Sequence, residues 1–227
     1  TLDNKNFFKS RSLYKAPLSK RKALKIVESS YLAAATALIW IALYYLPIGG
    51  AVFRLALPLP LVLLQIRRGV KTGIEGVTIC VMLLTALMGP LRGPLVLFPY
   101  GLLSLWLGYS WQKGWNWWLS WSVGVSIGTM GFLIRVLVLS ILVGENLWVI
   151  LTRAGAGLLE KGIDIFNLSF TPDMRQVQVV ALFLIITQEI VYVLCLHALA
   201  YWIFPRLKSS IPEPPALLEN LISLESN

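Results

Sequence analysis

The chain is short of the side chains that most chemistry requires. Its 227 residues include one histidine, two cysteines and eleven aspartates and glutamates. His197 has no Cys, Asp or Glu at ligand spacing. A lone imidazole makes a poor metal site and reads as a hydrogen-bonded core residue. Cys80 and Cys195 each sit inside an apolar run, with no CxxC pair or Cys/His cluster. That argues against a disulfide or a zinc site and for packing. There is no GxSxG, Walker loop, HExxH or convergent pair of carboxylates. The expectation is therefore a protein with no catalytic residue, no metal and no cofactor, and not an enzyme.

What is abundant is apolar surface. Hydrophobic residues make up 57% of the chain and charged ones 14%, and the mean hydropathy is +0.72. A soluble core does not use that much, so a bilayer is the expected solvent. The stretch from Arg54 to Gly76 says the same: Pro58 and Pro60 interrupt an apolar run that passes into a basic turn. In lipid such prolines are tolerated, because neighbouring spans satisfy the freed carbonyls. The formal charge of +9 is not spread evenly, since eight of the 20 Lys and Arg fall between Lys5 and Lys25. Residues 1–26 read as a basic tail suited to anionic lipid or nucleic acid, and disordered when alone. The chain opens on Thr1, which fits a trimmed terminus, a removed targeting peptide being one origin.

Six spans are expected within residues 27–205, at about 27–45, 51–66, 72–88, 95–111, 117–143 and 177–204. The turn Pro47-Ile48-Gly49-Gly50 ends the first, and the second is irregular at its prolines. Ala33 and Ala37 share one face of span one, and Gly69, Gly73 and Gly76 make a small-residue face at the start of span three. Both suit close helix packing or a partner. Trp106, Trp111, Trp115, Trp117, Trp118 and Trp121 cluster beside a polar turn, as an interfacial belt would. Residues 144–175 place Leu147, Leu151, Leu158 and Phe166 near helical spacing among charges, which predicts an amphipathic helix before Thr171-Pro172-Asp173. Residues 206–227 form a proline linker and a short amphipathic tail.

With alternate loops placed together, fourteen basic residues fall on the side of both termini and four on the other. They include Lys20, Arg21, Lys22, Lys25, Arg67, Arg68 and Lys71. The positive-inside rule then puts both termini in the cytoplasm or stroma. Arg54, Arg135, Glu189 and His197 fall inside spans. Charges there face the bundle interior or a cavity. Measured from the outer ends of their spans, Arg135 and Glu189 differ in depth by roughly 6 Å. An Arg135–Glu189 contact is expected, with Gln188 or Arg54 as further partners. It reads as a structural ion pair between spans five and six or as a ligand or proton site.

This layout resembles a bacterial and cyanobacterial or plastid membrane family of unknown function. That family is grouped by fold with the substrate-binding S components of energy-coupling-factor (ECF) vitamin and metal importers. The resemblance is carried by Ala33 and Ala37, LALPLPLVLLQIRRGVKTG (Leu55–Gly73) and GLLSLWLG (Gly101–Gly108), and covers roughly residues 30–205. It implies an all-α, S-component-like bundle in which Ala33 and Ala37 stand where span one would meet an ECF coupling module. Vitamin-binding S components line an outer pocket with several polar side chains. Here the outer halves offer Arg54, Arg135, Gln188 and Glu189. The plastid side of the resemblance implies instead an accessory factor in thylakoid protein insertion or photosystem assembly. Its partners would be a Sec-type translocon, an insertase or photosystem subunits.

Overall fold

The computed structural model describes residues 19–46, 49–165, 173–209 and 211–215. The expectations for residues 1–18, for Pro47-Ile48, for Phe166 to Pro172 and for the tail from residue 216 lie outside them. Among the described residues the regular structure is helical throughout. Helix α1 runs from Lys20 to Tyr45, and the Ser19 Oγ accepts from the Lys22 amide at 3.4 Å. It therefore begins within the expected tail, because Lys20–Ile26 are good helix formers behind a serine cap.

The second span is broken as its prolines dictate. Helix α2 (Gly50–Ala56) and helix α3 (Leu59–Arg68) meet at Leu57-Pro58, and Pro60 sits in the first turn of α3, where its missing N–H costs nothing. Gly69, at φ +88°, is the whole connection to α4 (Val70–Met88). A side chain would be strained at that dihedral.

The fourth expected span, 95–111, is not one helix. A 3₁₀ turn (Pro94–Leu97) is followed by a cis Phe98–Pro99 bond and by α5 (Tyr100–Gln112). Pro99 has no N–H to continue a helical ladder, and it packs against Gly131, where an added Cβ would lie 2.5 Å from the Pro99 Cβ. The segment nonetheless crosses the bundle. Gly93 lies on the Leu84–Thr85 backbone of α4 at one end, and Gly108 lies on Gln65 toward the other.

Helix α6 (Trp117–Val143) stops at Gly144, α7 (Leu147–Ile165) occupies the place of the expected amphipathic helix, and α8 (Met174–Ile203) opens with an Asp173/Gln176 capping box. Five stretches are long and apolar enough to cross a membrane: 20–45, 50–68, 70–88, 117–143 and 174–203.

Small residues bring these helices together. Ala33 and Ala37 are fully buried, and α1 packs chiefly on α4. Gly76 accommodates Leu64, and Gly124 meets Val193. Without a hydrophobic driving force between spans, such close approach and interhelical hydrogen bonds hold a bundle in lipid.

After α8 the chain turns at Pro205–Leu207 and straps across the basic end. Arg67 donates from Nε to the Ser209 Oγ at 3.2 Å and from Nη2 to the Leu207 carbonyl. The Trp117 Nε1 donates to the Pro212 carbonyl at 2.7 Å, and Ile211 is buried beneath. The start and finish of the described chain thus share one end of the bundle.

Candidate functional site

Arg54, Gln188 and Glu189 form a polar cluster inside the spans, with a different pairing from the one expected. Arg54, carried inward by short α2, donates from Nη2 to the Glu189 Oε1 at 3.0 Å. Its guanidinium stands 5.2 Å from the centre of the Tyr192 ring, whose hydroxyl donates to the Arg54 carbonyl at 3.0 Å. With its amide oxygen turned toward the guanidinium, Gln188 accepts from Arg54 Nη2 at 2.9 Å and from Nη1. Glu189 is 1% exposed, while the Arg54 side chain remains 29% exposed.

Arg135 does not touch Glu189. Its Nη2 donates to the Tyr44 hydroxyl at 2.7 Å, and its guanidinium sits 5.4 Å from the Trp40 ring centre. The reason is register. Glu189 presses its Oε2 against Gly128, where an added Cβ would come within 2.4 Å. Arg135 lies two turns beyond Gly128 on the same face, roughly 10 Å further along α6. The 6 Å expected from span ends is too small, and α2 supplies the nearer cation. A row of aromatic contacts, Trp40–Tyr100 at 5.7 Å and Tyr100–Tyr192 at 6.4 Å, joins the two arginines.

The Arg54 side of the pair opens sideways. Arg54, Gln188, Thr187, Tyr192 and Cys195 line a groove of about 800 Å³ between α2 and α8. Cys195 is thus exposed on the outer face, contrary to the packing role expected of it, whereas Cys80 is buried. Arg54 Nε and Glu189 Oε2 have no protein hydrogen bond.

Nearer the basic end, His197 is fully buried between Trp111 and Trp117, with ring centres 5.0 and 5.2 Å away. Its Nδ1 lies 2.8 Å from the Val193 carbonyl, which can only accept, so Nδ1 carries a proton. Its Nε2 is 3.1 Å from the Ser120 Oγ, which also meets the Ser110 Oγ at 2.9 Å. Trp111 and Trp117 are core residues, therefore, and the interfacial belt reduces to outward members such as Trp118. No group of three or more metal-ligating side chains occurs among the described residues.

The expected face of Ala33 and Ala37 is turned inward and spent on the bundle's own packing. Gly73 and Gly76 are likewise buried under Gln65 and Leu64. Gln65, which the sequence did not single out, is fully buried and donates to the Leu105 carbonyl at 3.0 Å. An amide in the run LVLLQI was the available signal.

Of the basic residues, Arg67 and Arg68 grip Glu28 at 3.0 and 2.6 Å, and Lys25 pairs with Glu75 at 2.9 Å. Lys20, Arg21, Lys22 and Lys71 are exposed at the same end.

A bundle of long apolar helices whose few internal charges are paired across helices defines a polytopic integral membrane protein. The chain belongs to the family of predicted membrane proteins DUF2232, whose family model matches residues 33–220. No curated protein and no solved structure matches it.

Proposed function

We propose that this protein is a non-enzymatic accessory or assembly factor that binds other membrane proteins. Insertion or photosystem biogenesis in a thylakoid or cyanobacterial membrane, beside a Sec-type channel or insertase, is the setting the sequence resemblance suggests. The observation that carries the reading is the use made of the internal polar groups. Arg54, Glu189, Arg135, His197 and Gln65 are each engaged in joining the chain's own helices. Broad apolar faces, with Leu38, Met82, Leu137 and Phe183 among them, point outward.

In this reading the broken segment 94–112 is the sixth crossing, and both termini lie on the cytoplasmic or stromal side with the basic end. The exposed Lys20, Arg21 and Lys22 then face anionic lipid or a ribosome.

A second reading, an S-component-like substrate-binding subunit of an ECF importer, has one observation in its favour. Arg54 and Gln188 open on a groove of about 800 Å³ that could admit a small polar molecule. The burial of Ala33 and Ala37 weighs against it, because those residues do not offer a face to a coupling module.

Native purification followed by mass spectrometry separates the two. Recovery with a translocon, ribosome or photosystem intermediate is expected. Recovery with ATPase subunits alone, or with a metabolite bound at Arg54, would reject the accessory role.

A further inference from the structure

We propose that the groove between α1 and α4 at the basic end is a binding site for a single anionic phospholipid. The groove has a volume of about 620 Å³ and opens outward between the two helices. Its lining is graded along the helix axes. Lys22 and Lys25 stand at the mouth, Ser29 and Ser30 lie deeper on α1, and Ile74 and Ile79 supply an apolar wall from α4. From Lys22 to Ser30 the helix advances about 12 Å, the depth from a lipid phosphate into the upper acyl chains.

Charge selects the occupant. Lys22 is exposed and has no ion-pair partner among the described residues, while Glu75 draws Lys25 over the mouth at 2.9 Å. Lys20, Arg21 and Lys71 add positive charge beside it. The nearby Glu28 is taken up by Arg67 and Arg68, so Glu75 is the one acid lining the groove. A phosphodiester with no compensating cation complements that excess. A choline head group would bring its own cation against the same lysines. An apolar helix from a partner protein would leave Lys22 without a counter-charge. The inference rests on the chain spanning a membrane and not on the accessory role or on which leaflet holds the basic end.

The test is native mass spectrometry of the full chain released from nanodiscs containing phosphatidylglycerol and phosphatidylcholine. The wild type is expected to retain one phosphatidylglycerol in preference to phosphatidylcholine. Lys22→Gln with Lys25→Gln should weaken retention by about fivefold per lysine. Ser30→Leu narrows the groove but keeps both lysines, and it should weaken retention too, which guards against the double variant simply unfolding. Lys113→Gln with Lys208→Gln, at the same end but outside the groove, should retain it. Equal retention of the two lipids by the wild type, or equal loss in both lysine pairs, would overturn the site. So would undiminished retention by Ser30→Leu.

Discussion

Glu189 gives one carboxylate oxygen to Arg54 and presses the other against Gly128. Removing either partner leaves an uncompensated charge in a low-dielectric bundle. Glu189→Ala and Arg54→Ala should each lower stability by about 3–5 kcal/mol. The double variant Arg54→Ala/Glu189→Ala should lose clearly less than the sum. Unfolding in detergent across this double-mutant cycle measures the coupling, and strict additivity would mean that the pair is not a unit. Arg135→Gln should be milder, because the Arg135–Tyr44 contact is exposed. Arg54, Gln188 and Glu189 were legible as polar groups within apolar runs. Their pairing was not, because depth along a span says nothing of what a neighbouring helix brings to that depth.

Among the elements, segment 94–112 shows how local chemistry and packing combine. Pro99 breaks the helix, and Gly131 of α6 and Gly93 against α4 absorb the resulting irregular path. Gly93→Ala would place a Cβ 2.3 Å from the Thr85 backbone nitrogen, which has nowhere to move. A loss of about 1–3 kcal/mol is expected in thermal or denaturant unfolding. Gly155→Ala, in α7 with open space around it, should be neutral or gain up to about 1 kcal/mol. The strap after Pro205 depends on Arg67 and Trp117. Arg67→Ala should free it, read as faster proteolytic cleavage between residues 208 and 215 while the spans stay protected. Unchanged cleavage would show that Trp117 and the burial of Ile211 suffice.

For the whole molecule, the connection carrying Lys113 belongs to the basic end, because Trp117 reaches the C-terminal strap there. Glu145 follows the far end of α6. An impermeant maleimide should label Lys113→Cys and Glu145→Cys, which flank α6, from opposite sides of sealed vesicles. Labelling from one side would remove the transmembrane reading of α6. The alternation of apolar runs with basic turns made the five long apolar stretches readable. It could not show that residues 94–112 form a 3₁₀ turn and a separate helix, since Pro94 and Pro99 look no more disruptive in sequence than Pro58 and Pro60.

The sequence by itself determined the solvent, the approximate places of the long apolar helices and most, not all, of the polar groups set among them, with Gln65 missed. Each of these follows from transfer energies and helix propensities that act residue by residue. Only the tertiary structure decided which cation meets Glu189, that Ala33 and Ala37 face inward, and that Trp111 and Trp117 enclose His197. Those outcomes depend on the rotation and register of packed helices, which are set by contacts between residues far apart in the chain.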